Sequence, residues 1–483
     1  LCCMTFLETF LGSPSGGDGN GTALQLPAGT DTHTPIQSIL LVCCDAIRAK
    51  DNPITYGVAC IVAQLTMVPG LTVSVGSINM TDADGNNRDL EDMQAEMQQL
   101  VDTYPASCIG FSVFAYNTRV YEGISLPEGS LLLLGGPHIT YQTDEEVVSA
   151  FPRADILCRQ FGELPLLCLS LGYRHDKVAL VSERARSALS LADMPDSMML
   201  SLSLDESTVP SPYACKILPV SMYVRLETER GCHHQCSYCC HAGGIRGSVP
   251  LSWERVHGDL TLFMEGGARD ICVLDAAFND SRIRRRVKVL QFLVDNRYKG
   301  RISVQFFPRT ITKQELVLYR QLPGLELEIG VQSLHPETYR AIKRPMCQEV
   351  LQRMVTQLEQ NGIRHFMTFI IGLPFQTPAT LRHTLQTVRD MYTPPNVASL
   401  ICYPLELLPG TPLAAQREEH QYRTGEFRLV SKYPVMSGHV TSSKYVTRKE
   451  FQEMYDISQE LREPEFVPYV AEEGPVWGEE DSV

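Results

Sequence analysis

The sequence predicts an α/β protein built from two successive units: a doubly wound unit with a parallel sheet, then a partial (βα)6 barrel. Two observations support this. Apolar runs of four to eight residues recur along the chain, and amphipathic stretches of about ten or more residues separate them. A third observation, an irregular proline-containing stretch near the middle, divides the pattern in two. At about 150 residues per domain, a chain of 483 residues has room for both units and for extensions.

The composition is that of a globular protein, with 44% hydrophobic and 20% charged residues. Lys and Arg total 42 against 56 Asp and Glu, which gives a net charge of −14. An acidic chain without a basic cluster is poorly suited to non-specific nucleic-acid binding or to an anionic membrane, so we expect neither partner. No apolar stretch approaches the ~18–20 residues of a spanning helix. The 16 cysteines, without a recognisable secretion signal, favour metal or redox chemistry in the cytoplasm over a disulfide scaffold.

The first unit is expected over residues 37–170, after a flexible lead-in at 1–36 to which the composition assigns no structure. Its strands are buried apolar runs, and its helices carry one apolar face. The predicted strands are 38–44, 71–75, 108–113, 131–135 and 156–159, and the predicted helices are 56–68 and 90–103.

An irregular connection is expected at 171–220, followed by the barrel at 221–425. Six strand and helix patterns alternate there, and chemistry in such barrels lies at the carboxyl ends of the strands. The predicted strands are 223–227, 270–275, 301–307, 325–332, 365–371 and 398–403, and the helices are 253–265, 283–296, 312–321, 347–361 and 378–391. Residues 426–483 form a C-terminal extension that ends in an acidic tail.

The most specific motif is a cysteine loop directly after the first barrel strand, where Cys232, Cys236 and Cys239 have C-x3-C-x2-C spacing. Three thiolates on one loop can converge on one metal centre, and a [4Fe–4S] cluster would then keep one iron open to a small molecule. Zinc is the alternative, with its coordination completed by His233, His234, Cys240 or His241. Unligated cysteines are the third possibility.

This loop, with Tyr238 before its last cysteine, resembles the radical S-adenosylmethionine (SAM) superfamily. The resemblance implies that the three cysteines hold a [4Fe–4S] cluster and that SAM binds the open iron. Gln332 and Ser333 resemble the fourth-strand residues near the SAM ribose, and Gly372 and Leu373 resemble the fifth-strand segment beside the adenine. The turn at 408–412 is similar to that of the subgroup with an N-terminal cobalamin-binding domain.

One departure from the family pattern follows the second barrel strand. Many members have Gly-Gly-Glu there, in contact with the SAM amino group, whereas this chain has Asp275 followed by two alanines. By the resemblance, Asp275 accepts that hydrogen bond. The alternative is that Asp275 caps the next helix.

The first unit resembles the Rossmann-like cobalamin-binding domain of the same subgroup. Ser112, Gly135, Gly136, Gly162 and Glu163 fall in segments that resemble those contacting the nucleotide tail of the corrin. All of these segments follow parallel strands, where ligands of open α/β sheets bind. The chain lacks the Asp-x-His-x-x-Gly motif after the first strand, so the histidine ligand of many cobalamin proteins is missing.

The resemblance therefore implies a radical SAM enzyme with a [4Fe–4S] cluster and SAM, in which a 5′-deoxyadenosyl radical abstracts a hydrogen atom and cobalamin delivers a methyl group to an unactivated carbon. Its expected partners are a small-molecule or peptide substrate and an electron donor such as flavodoxin or ferredoxin. A radical rearrangement, oxidation or cyclisation with a vestigial cobalamin domain is the first alternative. A non-catalytic zinc-binding scaffold is the second.

Overall fold

The computed structural model describes residues 9–11, 36–48, 50–84, 86–194, 209–242, 247–280, 283–393, 399–425 and 439–461. Internal contacts divide the chain into two compact units. The first contains Leu1–Pro219, Leu251–Asp259 and Arg428–Ser437, and the second contains Val220–Pro250, Leu260–Phe427 and Gly438–Val483.

The first unit is built on one seven-stranded sheet in the order β1-β3-β2-β4-β5-β6-β7. Its strands are β1 Thr9–Leu11, β2 Ser38–Asp45, β3 Thr72–Asn79, β4 Cys108–Ser112, β5 Leu131–Gly135, β6 Ile156–Cys158 and β7 Val178–Leu180. The strands from β2 to β6 are parallel, and the chain reverses direction across the sheet between β2 and β4. Such a reversal opens a crevice at the carboxyl ends of the two strands.

Helices of the first unit connect these strands and bury their apolar faces. They are α1 Tyr56–Leu65, α2 Leu90–Thr103, α3 Pro137–Thr140, α4 Asp144–Ala150, α5 Glu163–Ser170 and α6 Glu183–Ala188. In α2 the buried side chains include Met93, Met97 and Leu100, which share one face at helical spacing. The side chain of Asp89 accepts a hydrogen bond from the first turn of α2 and fixes where that helix begins.

The edges of this sheet differ from the prediction. Thr9–Leu11 pairs antiparallel with β3, although the lead-in was expected to carry no structure. Strand β7 pairs antiparallel with β6, and α6 follows it, inside the stretch predicted to be an irregular connection. Both edge strands are only three residues long, too short for a hydrophobic period to be visible in the sequence.

The second unit contains a six-stranded parallel sheet in the order β15-β14-β13-β12-β11-β8. Its strands are β8 Tyr223–Leu226, β11 Asp270–Val273, β12 Arg301–Phe306, β13 Leu325–Gln332, β14 Arg364–Ile371 and β15 Ser399–Pro404. Strands β9 Glu229–Cys232 and β10 Gly247–Pro250 form an antiparallel hairpin beside it. The chain order of the sheet is that of six βα repeats, and the predicted fold class of both units is confirmed.

The helices of the second unit lie between its strands. They are α7 Trp253–Glu265, whose residues up to Asp259 group with the first unit, α8 Ile283–Asp295, α9 Lys313–Tyr319, α10 Pro336–Ala341, α11 Gln348–Gln360, α12 Pro378–Arg389 and α13 Pro412–Ala415. Capping boxes at Thr312 and Thr377 begin α9 and α12, since each threonine side chain accepts a backbone N–H three residues on.

The C-terminal segment adds β16 Arg423–Gly425, β17 His439–Ser442 and α14 Arg448–Glu460. The N–H of Val440 donates to the carbonyl of Leu405, and Phe451 of α14 packs near Gly372. These elements therefore belong to the second unit. The predicted acidic tail lies outside the described residues. Among the helices that are described, none combines the length and apolar character needed to span a bilayer.

Candidate functional site

The cysteine loop begins at the end of β9. It was predicted to follow the first barrel strand directly, but the short strand β9, which pairs with β10 outside the six-stranded sheet, lies between β8 and the loop. Cys236 is buried, and Cys232 and Cys239 are partly buried. Burial raises the pKa of the Cys232 thiol, and charge on Cys239 and Cys236 raises it further. In the described part of the chain, however, no three His, Cys, Asp or Glu side chains already stand in metal-binding geometry.

Two other segments of the second unit hold this loop by its backbone at Ser237, which is 1% exposed. The N–H of Ser237 donates to the carbonyl of Ile342 over 2.9 Å, and the N–H of Leu413 donates to the carbonyl of Ser237 over 2.8 Å. Ile342 follows α10 and Leu413 lies in α13, after the predicted turn at 408–412. The segments that follow β13 and β15 therefore both contact the cysteine loop.

Two of the three histidines considered as zinc ligands, His233 and His234, are engaged elsewhere. His233 Nε2 lies 2.7 Å from the hydroxyl of Ser248. His234 Nε2 lies 3.1 Å from Asp280 Oδ2, and its ring stacks on Phe307 with the ring centres 3.9 Å apart. These contacts orient the loop rather than add ligands to the three thiols.

Asp275 supports the turn that leads into β9. One carboxylate oxygen accepts the backbone N–H of Thr228 at 2.8 Å and that of Glu229 at 3.1 Å, and the other accepts the Thr228 hydroxyl. Burial raises the pKa of Asp275 to about 7, although these hydrogen bonds oppose the shift. The sequence analysis considered Asp275 as a SAM contact or as a helix cap. In the structure its carboxylate bonds the turn between β8 and β9, a role that neither interpretation included.

Gln332 and Tyr238 meet around Arg344. Gln332 has φ of 69°, and the pairing of β13 with β14 is irregular between Gly330 and Gln332. A Cβ on Gly330 would lie 2.9 Å from both Gln332 Nε2 and Arg344 Nη2. Arg344 Nη1 donates to the Tyr238 hydroxyl over 3.3 Å. A non-glycine residue at positive φ at the end of a strand is a feature that clusters at functional sites.

The other predicted SAM residues bond within their own turns. The Ser333 hydroxyl accepts the N–H of His335 at 3.1 Å, one residue before α10 begins. The N–H groups of Gly372 and Leu373 both donate to Gln376 Oε1, at 2.8 and 3.3 Å. Gly372 has φ of 94°, and a Cβ there would come within 2.9 Å of the Phe451 ring. Close packing against α14 is therefore one reason for this glycine.

In the first unit, the predicted cobalamin residues gather at one edge of the sheet. Ser112 of β4 is the direct register partner of Gly135 of β5. Gly162 precedes α5, and a Cβ there would lie 2.7 Å from Ile61 Cδ1 and 3.8 Å from the sulfur of Cys158 in β6. Glu163 begins α5 and is buried. Three adjacent strands thus bring Ser112, Gly135 and Gly162 to the same edge.

Gly136 has a structural role within this unit. It has φ of 100°, and a Cβ would meet the backbone of Val113 at 2.7 Å. Protein packing alone therefore requires glycine at this position. At the neighbouring crevice, the Tyr116 hydroxyl donates to Asp45 Oδ1 at 2.9 Å, which ties the ends of β2 and β4 together.

Three residues important to these sites were missed by the sequence analysis. Arg344 contacts Cys236 and Tyr238, Gln376 closes the turn after β14, and fully buried Asn117 bonds the carbonyls of Cys44 and Ser112. Only Gln376 had a local signal, since it directly precedes the Thr377 capping box. Arg344 and Asn117 contact Cys236 and Cys44, which are far away in the sequence, so no local pattern marks them.

Residues 226–388 match the family model of the radical SAM superfamily. This range contains the three cysteines, Asp275, Gln332 and Gly372. The chain therefore contains a radical SAM domain over these residues. A domain of this kind implies a [4Fe–4S] cluster and SAM as cofactors.

Comparison with curated proteins gives distant relatives. The cobalamin-dependent radical SAM methyltransferase TokK of Streptomyces tokunonensis is 22% identical over 63% of this chain and 47% of its own length. The ribosomal protein uS12 methylthiotransferase RimO of Synechococcus is 25% identical over 34% of this chain and 36% of its own. The chain spans about half or less of the length of the curated relatives it matches.

Two solved structures share the fold over most of this chain. The radical SAM methyltransferase TsrM of Kitasatospora setae superposes with a TM-score of 0.64 at 14% identity, covering 89% of this chain and 90% of TsrM. The cobalamin-dependent SAM radical enzyme OxsB superposes with a TM-score of 0.58 at 16% identity, covering 88% of this chain and 66% of OxsB. At these identities the likeness is one of fold.

Proposed function

We propose that this chain is a radical SAM enzyme that uses cobalamin to transfer a methyl group to an unactivated carbon. The observation that carries the proposal is the pairing of two sites in one chain. The cysteine loop begins at the end of β9, the strand that follows β8, and Ser112, Gly135 and Gly162 gather at the carboxyl edge of the first sheet. When bound, the cluster and SAM supply a hydrogen-abstracting radical, and cobalamin supplies the methyl group.

Cys232, Cys236 and Cys239 would hold the cluster. Their thiolate donors suit iron–sulfur chemistry, and the backbone bonds at Ser237 hold the loop that carries them. Asp275 contributes indirectly, because its carboxylate fixes the turn from which β9 delivers Cys232.

Gln332, Ser333, Tyr238, Gly372 and Leu373 are the proposed SAM residues. Gln332 is the best supported of them, since its side chain lies beside Gly330 and Arg344, next to the cysteine loop. Ser333 and the turn at Gly372 contribute by shape, because the Ser333 hydroxyl and the two N–H groups of that turn are already hydrogen-bonded. We assign the backbone of Gly372 and Leu373 to the adenine, although the Leu373 carbonyl also accepts the N–H of Gln376 at 3.2 Å.

Cobalamin is assigned to the edge formed by Ser112, Gly135, Gly136, Gly162 and Glu163. Gly135 supports this assignment most directly. It ends β5, and a Cβ there would make only ordinary contact with the Cys158 carbonyl at 3.4 Å, so the protein itself does not demand glycine. Close approach of a bound group accounts for a glycine at such a position.

Anaerobic cofactor analysis tests the proposal. Protein purified with hydroxocobalamin and reconstituted with iron and sulfide should contain stoichiometric cobalt and about four irons per chain, as one [4Fe–4S] cluster requires. It should also cleave SAM to 5′-deoxyadenosine. A colourless protein that retains zinc and no iron would contradict the whole proposal.

A second function is favoured by one observation. Gly136 is explained by packing against Val113, and no histidine motif follows β2, so part of the cobalamin resemblance has a purely structural cause. We therefore retain a radical SAM rearrangement, oxidation or cyclisation in which the first unit binds no cofactor. Four irons, SAM cleavage and no cobalt at saturating hydroxocobalamin would establish this alternative. The substrate is a small molecule or peptide, and the electron donor a flavodoxin or ferredoxin, in either case.

A further inference from the structure

Arg344 is a buried cation in direct contact with a proposed cluster ligand. Its Nη1 lies 3.4 Å from the Cys236 sulfur and 3.3 Å from the Tyr238 hydroxyl. Its Nη2 donates to the carbonyl of Gly330. The side chain is 9% exposed. The guanidinium is therefore held in place by groups from two separate segments of the second unit.

An aromatic ring fixes the remaining face of this group. The guanidinium carbon of Arg344 lies 4.6 Å from the centre of the Phe307 ring, at cation–π distance. His234 stacks on the same ring, tilted by only 13°. Because His234 lies between Cys232 and Cys236, Arg344 is linked to the cysteine loop both directly and through Phe307.

The charge of Arg344 is not neutralised by a carboxylate in the described part of the chain. Its hydrogen-bond acceptors there are a thiol, a hydroxyl and a backbone carbonyl. Its Nε is buried and has no acceptor among the described residues. Arg344 is therefore a fixed cation beside Cys236, and its Nε–H is a further hydrogen-bond donor. Burial lowers the polarity around it, which strengthens its electrostatic interactions.

We propose that Arg344 raises the reduction potential of the cluster. This inference rests on the proposed function, since it requires a cluster on Cys236. One-electron reduction, with the electron supplied by an external reductant, adds negative charge to the cluster and its thiolates. A neighbouring cation and N–H···S hydrogen bonds stabilise that added charge, and both are known determinants of iron–sulfur potentials.

The test is anaerobic redox titration of the reconstituted full chain without SAM, with dithionite as the reductant and the electron paramagnetic resonance signal of the reduced cluster as the readout. Arg344→Gln removes the charge and keeps a polar side chain. We expect its midpoint potential to fall by about 59 mV, which is a tenfold change in a one-electron equilibrium. Arg344→Lys keeps the charge but loses the planar fork, so its potential should fall less.

Arg340→Gln is the matched control, because Arg340 is an exposed arginine of α10 four residues away. It removes the same net charge from the chain and should leave the potential unchanged. An unchanged potential in Arg344→Gln, or an equal fall in Arg340→Gln, overturns the inference. If Arg344→Gln binds no iron, Arg344→Met replaces it as the neutral variant, and an intact cluster at the wild-type potential in that variant overturns the inference. If both neutral variants bind no iron, Arg344→Lys decides, and a potential above that of the wild type overturns the inference. Failure of the wild type to bind iron would instead contradict the proposed function.

Discussion

Asp275 binds Thr228 through both carboxylate oxygens, one accepting its backbone N–H at 2.8 Å and the other its hydroxyl. The two residues are 47 positions apart and belong to the ends of neighbouring strands β11 and β8. This contact decides where the chain turns before Cys232, so the carboxylate positions the cysteine loop.

Asp275→Ala should reduce the iron retained per chain, because three hydrogen bonds to the turn before β9 are lost. Leaving buried donors unsatisfied costs on the order of 1–3 kcal/mol per group. Iron analysis after anaerobic reconstitution, together with the thermal unfolding midpoint, measures both effects.

Asp275→Asn separates positioning from direct SAM binding. Its amide oxygen can accept both N–H groups and its NH2 can donate to the Thr228 hydroxyl, so we expect near wild-type iron and SAM affinity. An asparagine variant with a full cluster and greatly weakened SAM binding would show that the charge itself contacts SAM. Asp295→Asn, at an exposed site on α8, is the control.

Cys236→Ala should abolish the visible iron–sulfur absorption and SAM cleavage, because a buried ligand of the proposed set is removed. Cys240→Ala should preserve most of both, since Cys240 lies outside the C-x3-C-x2-C spacing. Absorption spectra and 5′-deoxyadenosine yields of the two variants are compared. Loss of the cluster in Cys240→Ala alone would mean that the ligand set is wrong.

Gln332→Asn should weaken SAM binding several-fold while the cluster stays intact. Asparagine tolerates the positive φ at this position but its amide is one methylene shorter, so a hydrogen bond worth about 1 kcal/mol is lost without added backbone strain. Equilibrium dialysis with SAM measures the affinity. Unchanged affinity would remove Gln332 from the site.

Gly135→Ala should lower the cobalt retained per chain while SAM cleavage continues. The added Cβ fits the protein, 3.4 Å from the Cys158 carbonyl, but would occupy the strand end assigned to the cobalamin tail. Gly57→Ala is the control, because a Cβ there meets nothing within 4 Å.

Gly136→Val should also lose cobalt, but because its side chain clashes with the backbone of Val113. It should therefore lower the thermal unfolding midpoint even without cofactor.

The state of bound cobalt gives a separate observable. No histidine motif follows β2, so the electron paramagnetic resonance spectrum of the Co(II) form should lack nitrogen splitting from a protein imidazole. Observed splitting would point to His138, whose Nδ1 is buried without a partner among the described residues.

The sequence by itself determined the two α/β units and most of their elements. Strands β5 and β13 and helices α2 and α7 have the predicted bounds, and the other predicted barrel elements differ by one or two residues at an end. The barrel elements β9, β10, α10 and α13 were not predicted. Hydrophobic period is a local property, so it is readable without knowing the fold. The cysteine spacing and the order of the motifs are likewise read directly from the sequence, and they indicate the radical SAM superfamily without knowledge of the fold.

Only the tertiary structure decided what the polar side chains of the sites contact. Arg344 is 108 residues from Cys236, Asn117 is 73 from Cys44, and Gly136 is required by the backbone of Val113. The short strands β1 and β7 likewise exist because a neighbouring strand offers its edge. Such contacts depend on which strands become neighbours in the folded sheets. A side chain's type sets which bonds it is able to make, but the packing of distant segments selects the bonds that form.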